Sequence, residues 1–103
     1  MKNKLFELAS RRRSVRQYGD KKIDDQVIDE IMKVALTAPS SFGHRPVEYV
    51  VVRDKETIKD LASCKSYGGS QIIGADAVIV VFVCLDRGEF WIEDGAIASA
   101  YIL

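Results

Sequence analysis

The sequence has few of the residues that build disulfide frameworks and metal sites. Its 103 residues include two cysteines, Cys64 and Cys84, and one histidine, His44. Two cysteines are too few for a disulfide framework, and a single histidine without a cysteine pair gives no zinc site. We expect two free thiols in a reducing cytoplasm, and no bound metal.

The sequence also lacks net charge and long apolar segments. Fifteen basic residues balance fifteen acidic ones, so the net charge gives no reason to expect a nucleic acid or an anionic membrane as partner. The longest apolar stretch, Ala77–Leu85, is far shorter than the ~20 residues that span a bilayer, and the N-terminus lacks the apolar core of a signal peptide. We expect a soluble protein without nucleic-acid or membrane partners.

Familiar catalytic motifs are missing as well. There is no glycine-rich phosphate loop and no dinucleotide fingerprint, and one histidine cannot support a Ser-His-Asp or Cys-His arrangement. If the protein is an enzyme, a cofactor has to supply its chemistry, and we assign no catalytic side chain.

The composition that is present, 48% hydrophobic and 29% charged, is typical of one globular domain, here residues 1–103. Apolar periodicity and β-branched runs predict its elements, with Asp24 and Asp54 as helix caps. We expect helices at about Lys4–Arg12, Asp24–Ala38, Lys55–Ala62 and Glu89–Leu103, strands at Glu48–Arg53 and Ala77–Cys84, and a glycine-rich loop at Ser66–Gly74.

The last predicted helix is apolar up to the final residue, without a glycine, a basic residue or a polar cap at its end. A helix that is apolar most of the way round belongs inside a larger protein, and two strands are too few to cover it. We therefore expect that the domain is truncated at its C-terminus, or that another chain covers this surface.

Three segments could carry chemistry. Arg11–Arg16 gathers four guanidiniums and the Ser14 hydroxyl, groups that bind phosphate, although the solvated basic end of a helix explains them equally well. Pro39–Pro46 is a proline-bracketed loop whose serines and amides could line a small-molecule site, or it is an ordinary helix-to-strand connection.

The third segment, Trp91–Ala96, opens the last helix with two acidic residues. Glu93 and Asp94 could be partners of the helix dipole or ligand-facing groups, and Trp91 is expected to anchor the helix in the core. Close approach of a neighbouring helix is sufficient to explain Gly95.

The order and spacing of these motifs closely resemble the nitroreductase family over essentially the whole chain. They are Arg12–Arg16, the loop from Ala38-Pro39-Ser40-Ser41 to Arg45-Pro46, the valine-rich strand, the apolar strand Ala77–Cys84 and the helix start Trp91–Ala98. The resemblance implies an α+β fold with a mainly antiparallel sheet flanked by helices. It also implies a homodimer that binds FMN at the subunit interface.

The resemblance also implies roles for the first motif. Arg12 would bind the FMN phosphate, and Arg13 and Ser14 would contact the phosphate and the ribityl chain. Arg16 would reach the polar edge of the flavin ring.

In the loop, Ser40 and Ser41 would contact the same flavin from the partner subunit. The chain departs from the family here, because Gly43 and Arg45 stand where many members have Asn and Gln. The departure removes one side-chain contact and adds a positive charge beside the site, so substrates do not transfer directly from the better-known members.

The activity implied is hydride transfer from NAD(P)H through FMN to a nitroaromatic, a quinone or a similar electron-poor acceptor. Three alternatives stay open. The chain could be a specialised member that acts in reductive dehalogenation or flavin fragmentation, or a non-catalytic flavin-binding or dimerisation module or inactive fragment. It could also be a nucleic-acid binder that uses Arg11–Arg16, which the zero net charge disfavours.

Overall fold

A computed structural model describes residues 3–103. Within them lie a two-stranded antiparallel sheet and five α-helices, with single 3-10 turns at Ser41–Gly43 and Leu85–Arg87. The elements in chain order are α1 (Lys4–Arg11), α2 (Asp25–Ala35), β1 (Val47–Val52), α3 (Lys55–Ser63), α4 (Gly69–Ile73), β2 (Val78–Val83) and α5 (Trp91–Ile102).

The two strands pair along their whole length, from Val47 opposite Val83 to Val52 opposite Val78. Helix α5 packs on one face of this sheet, and α2 packs against α5. The prediction of an α+β fold with an antiparallel sheet flanked by helices is confirmed. The opposite face is open in this chain, where Phe82 is 52% exposed, although the uninterrupted apolar sequence of this strand is typical of a strand covered on both faces.

A small core forms where α5 meets the sheet and α2, and where α3 meets α4. Gly95 lets α5 lie directly on β2, because a Cβ atom there would come within 2.9 Å of Val83 Cγ2. The close approach predicted at Gly95 is therefore to a strand and not to a helix. The buried apolar residues are Ile28, Ala35, Ile58, Ala62 and Ala98.

Helix α4 replaces the loop that was predicted between Ser66 and Gly74. Gly68 starts it from a left-handed conformation with φ 77°, which glycine adopts at no steric cost. Gly69 then brings its first turn against the Ala62 backbone carbonyl of α3, where any Cβ would clash. The glycines that suggested a loop thus serve helix packing, which is why the prediction was wrong.

Helix α2 ends earlier than predicted and is capped differently. It ends at Ala35, and Thr37 and Ala38 continue with turn-type hydrogen bonds to the carbonyls of Val34 and Ala35. Asp24 occupies the N-cap position, but its side chain makes no capping hydrogen bond.

An ion cluster ties the segment before α2 to the end of the sheet. Arg53, just after β1, pairs with Asp76 and Asp25, each at 2.6 Å. Asp76 Oδ2 also accepts a hydrogen bond from the Ile23 amide at 2.7 Å. The bond from the Ile23 amide is the main cause that holds the pKa of Asp76 below its ordinary value. Desolvation opposes it, and the hydrogen bond and charge of Arg53 add to the lowering.

Candidate functional site

The basic segment, defined as Arg12–Arg16, begins where α1 ends. Arg12 leaves helical geometry with φ −59° and ψ 137°, while its amide still donates to the Leu8 carbonyl. Arg13 folds back, and its Nη1 donates to the carbonyls of Ser10 at 2.9 Å and Arg12 at 2.8 Å. The Arg13 guanidinium therefore caps the end of α1, as cations at helix C-termini do.

The basic segment lines a cavity of about 390 Å³. Within residues 3–103, no acidic side chain forms an ion pair with Arg12 or Arg16. These guanidiniums are exposed and keep their donors for a ligand, which suits them to an anion such as a phosphate. The other wall of the cavity is formed by Gln71 of α4 and by Leu103.

Gln71 is a site residue that sequence reasoning missed. Its segment was predicted as a loop, so its amide was not placed beside the arginines. The signal that could have found it is the Gln71-Ile72-Ile73 sequence, a polar residue followed by two apolar ones, which fits one turn of an amphipathic helix.

The serine loop, defined as Pro39–Pro46, is fixed by hydrogen bonds to its two serines. Ser41 donates both its amide (2.9 Å) and its hydroxyl (3.2 Å) to Asp94 Oδ1. Ser40 Oγ accepts the Arg45 amide at 2.8 Å. Both serines are half-buried, and Ser40 and Arg45 line a second cavity of about 200 Å³ beside β1 and α5.

The serine loop also carries backbone strain. Phe42, Gly43 and Arg45 all have positive φ, at 54°, 66° and 49°. Gly43 adopts this conformation at no steric cost, but the backbone of Phe42 and Arg45 is strained by it. Strained residues of this kind persist only where the surrounding structure holds them. The strain indicates a loop with one imposed shape.

Asp94 is almost fully buried, with 2% of its surface exposed, and contacts a predicted site residue. Trp91, three residues earlier, is 43% exposed, so the expectation of a core anchor is wrong for this chain. Trp91 instead lines a broad cavity of about 1010 Å³ together with Phe42 and Phe90, whose ring centroids are 6.5 Å apart.

Arg87 lies beside the same cavity and was not predicted as a site residue. Its guanidinium pairs with Glu48 at 2.6 Å. A hydrogen bond from Arg87 also lowers the pKa of the half-buried Cys84 thiol. Cys84 and Cys64 are both free.

The predicted site residues form two groups that one chain does not bring together. The serine loop contacts α5 at Asp94, near its start, whereas the basic segment shares a cavity with Leu103 at its end. These positions are nine residues apart, which is about 13–14 Å along a helix axis. The two groups, named the half-sites because the resemblance implies that they meet at one flavin, therefore lie at opposite ends of one helix.

Residues 3–103 contain no group of three His, Cys, Asp or Glu side chains placed to hold a metal ion. None of their helices is both long and apolar enough to cross a bilayer.

Comparison with known proteins gives consistent matches. The model of the nitroreductase family matches residues 9–85. A protein from Methanothermobacter thermautotrophicus, described as an NADH dehydrogenase/NAD(P)H nitroreductase, is 33% identical over 104 residues, which cover 96% of this chain and 53% of that protein. The chain spans about half the length of the curated relatives it matches.

Solved structures agree with this match. An FMN-dependent nitroreductase from Clostridium difficile superposes with a TM-score of 0.86 at 41% identity, over 89% of this chain and 54% of that one. A protein from Bacteroides thetaiotaomicron, described as an NADH dehydrogenase/NAD(P)H nitroreductase, gives 0.91 at 28% identity, over 99% and 60%. With its fold, its ordered motifs and a family match over most of its length, the chain belongs to the nitroreductase family.

Proposed function

We propose that the protein is an FMN-dependent oxidoreductase that takes hydride from NAD(P)H and reduces an electron-poor acceptor such as a nitroaromatic or a quinone. The observation that carries the proposal is the pair of guanidiniums, Arg12 and Arg16, that line the cavity of the basic segment and form no ion pair within residues 3–103. The solved relative from Clostridium difficile, named as FMN-dependent, supports FMN as the ligand.

The residues of the basic segment fit a phosphate and its attached chain. Arg12 supplies a planar fork of donors for phosphate oxygens, and the Ser14 hydroxyl can donate beside it. Arg13 contributes by holding the end of α1, since its Nη1 already donates to two carbonyls. Arg16 and Gln71 are the further donors of the same cavity.

The serine loop completes the site from a second subunit in this proposal. The separation of the half-sites along α5 supports such an arrangement, because a ligand held by the basic segment of one chain can meet the serine loop of another. A homodimer is further supported by α1, where Leu5, Phe6 and Leu8 are 68–75% exposed on a helix without buried residues.

FMN, when bound, would supply the redox chemistry as a hydride carrier between donor and acceptor. The chain's own residues would bind and orient it. Arg12 and Ser14 would hold the phosphate, Arg16 would place fixed positive charge near the flavin ring, and Ser40 would offer a hydroxyl. Arg45 adds a positive charge at the serine loop, which favours acceptors that carry a carboxylate or another negative group.

The test is flavin binding by the full-length protein, reconstituted with FMN and freed of excess by gel filtration. We expect a visible flavin spectrum, released on denaturation at about one equivalent per chain, and anaerobic bleaching of that spectrum by NADH or NADPH. Arg12→Gln and Arg16→Gln should each weaken FMN binding by about tenfold or more, since each removes a charged hydrogen-bond donor.

Arg11→Gln is the matched control, because Arg11 is the neighbouring exposed arginine and does not line the cavity. Its FMN affinity should equal that of the wild type. A full-length protein that stays colourless in excess FMN would refute the proposal. Flavin that binds but does not bleach would indicate a non-catalytic flavin-binding module instead.

A further inference from the structure

We propose that Asp94 is a positioning residue that sets the shape of the serine loop, so that Ser40, and not Ser41, presents the free hydroxyl donor to the ligand. The inference rests on the proposed function where it concerns FMN. The contact between Asp94 and the loop is independent of any ligand.

The first observation is the burial of a carboxylate that apolar packing does not require. Asp94 is 2% exposed, and its Oδ2 has no hydrogen-bond partner within residues 3–103. An unpartnered buried polar oxygen costs free energy, so a side chain serving only to fill space at this position would be apolar. We therefore attribute the burial of Asp94 to the hydrogen bonds that its Oδ1 accepts.

The second observation is what Oδ1 binds. It accepts the amide and the hydroxyl of Ser41, which lies 53 residues earlier in the chain. Hydrogen bonds to an ionised acceptor are the stronger kind. This pair of bonds clamps the first residue of the 3-10 turn Ser41–Gly43 onto α5.

The third observation is that the hydroxyl groups of the two serines differ in their hydrogen bonds. The Ser41 hydroxyl donates its proton to Asp94, so this hydroxyl can only accept a further hydrogen bond. Ser40 Oγ accepts the Arg45 amide and retains its own proton as a donor. Within the loop, Ser40 is therefore the hydroxyl that can donate to a flavin oxygen or nitrogen.

The strained conformations of Phe42 and Arg45 explain why a clamp is needed. Both have positive φ, a conformation that relaxes unless its flanks are held. The Asp94–Ser41 bonds hold the N-terminal flank of this segment, and the bond from Arg45 to Ser40 ties the other flank to it.

The rival explanation is that Asp94 merely stabilises the start of α5 as an acidic partner of the helix dipole. Glu93 precedes it in the same first turn and is exposed, so it offers the same charge to the helix without touching the loop. Glu93→Ala is therefore the matched control.

The direct test is amide hydrogen exchange of Ser41 in the protein without FMN. Asp94→Ala should speed Ser41 exchange by at least about tenfold, because the amide loses a charged acceptor. Asp94→Asn keeps an acceptor at Oδ1 and should rescue most of the protection, with a loss of about threefold. Glu93→Ala should leave Ser41 unchanged. If Asp94→Ala does not fold, Asp94→Asn is judged against Glu93→Gln.

Ser41 exchange that is unchanged in the Asp94 variants, or that rises equally in the Glu93 variants, would overturn the positioning role.

The assignment of the free hydroxyl to Ser40 is tested by measuring FMN affinity. In the wild-type background Ser40→Ala should weaken FMN binding more than Ser41→Ala, because the Ser41 hydroxyl proton is already donated to Asp94 and Ser41→Ala keeps the amide bond to Asp94. Equal effects of the two serine changes in the wild-type background would overturn the assignment to Ser40. A wild-type protein that binds no FMN refutes the proposed function, and the exchange result alone then decides the role of Asp94.

Discussion

At the scale of single residues, Asp76 joins three parts of the chain. Its Oδ2 accepts the Ile23 amide from the segment before α2 and the Arg53 guanidinium from the end of β1. Lys55 Nζ of α3 lies 3.9 Å from its other oxygen. All of these partners favour the ionised carboxylate, which is why its pKa is lowered.

The lowered pKa of Asp76 predicts a contribution to acid stability. A carboxyl whose folded pKa lies below its unfolded value stabilises the fold above the unfolded pKa, and this contribution is lost as pH falls through the folded one. The ordinary value is 3.8, so the loss begins near that pH and is complete below the folded pKa. In Asp76→Asn the urea midpoint should be lower at neutral pH, and the difference from the wild type should shrink below about pH 4.

The control is Asp29→Asn, which removes an exposed carboxylate of α2 that takes part in no ion pair within residues 3–103. Its urea midpoint should run parallel to that of the wild type at all pH values. A constant difference between Asp76→Asn and the wild type from neutral pH to strong acid would contradict the prediction.

At the scale of elements, helices α2 and α3 offer a paired comparison of N-caps. Both follow an aspartate in the N-cap position, yet only Asp54 makes capping bonds, from the Thr57 amide at 2.9 Å and the Thr57 hydroxyl at 2.7 Å. Asp24 makes none with its side chain. The aspartate side chain is therefore expected to contribute more to the free energy of unfolding at the start of α3 than at the start of α2.

We expect Asp54→Ala to destabilise the protein and Asp24→Ala to leave its stability nearly unchanged. The first change leaves the Thr57 amide without its partner, which should lower Tm by roughly 2–8 °C. The measurement is thermal unfolding followed by circular dichroism. Equal shifts in the two variants would mean that the Asp54 bonds contribute nothing beyond the charge at the helix start.

The elements that sequence predicts well are those with strong local patterns. Helices α1, α3 and α5 and both strands lie within two residues of their predicted bounds, because apolar periodicity and β-branched runs are local signals. Helix α4 was missed because its glycines are required by a close contact with α3, and that contact cannot be read from the segment's own sequence.

The candidate site divides in the same way. The basic segment and the serine loop could be located from short motifs, but the partners of their residues could not. The Asp94–Ser41 contact joins positions 53 residues apart, and Nη1 of Arg13 donates to the carbonyls of Ser10 and Arg12. Local sequence therefore located the candidate segments, whereas contacts outside the motifs decide which of their side chains keep free donors.

At the scale of the whole molecule, the proposed dimer would have each chain contribute one half-site to each of two FMN sites. A chain with a defective basic segment still carries an intact serine loop, and the reverse holds for a chain with a defective loop. In a homodimer built across the interface, each of two sites would take one half from each chain.

If each site takes one half-site from each chain, two variants that each bind FMN weakly should complement one another. Arg12→Gln and Ser40→Ala chains, unfolded together and refolded as a mixture, should form hybrid dimers in which one site gathers both defects and the other gathers none. The mixture should then bind FMN tightly at up to about one quarter of its sites when chains pair at random, although neither parent does. If each chain built its own complete site, mixing would restore nothing. In the proposed dimer, the length of α5, which separates the two half-sites, would make a pair of chains the smallest unit that binds FMN.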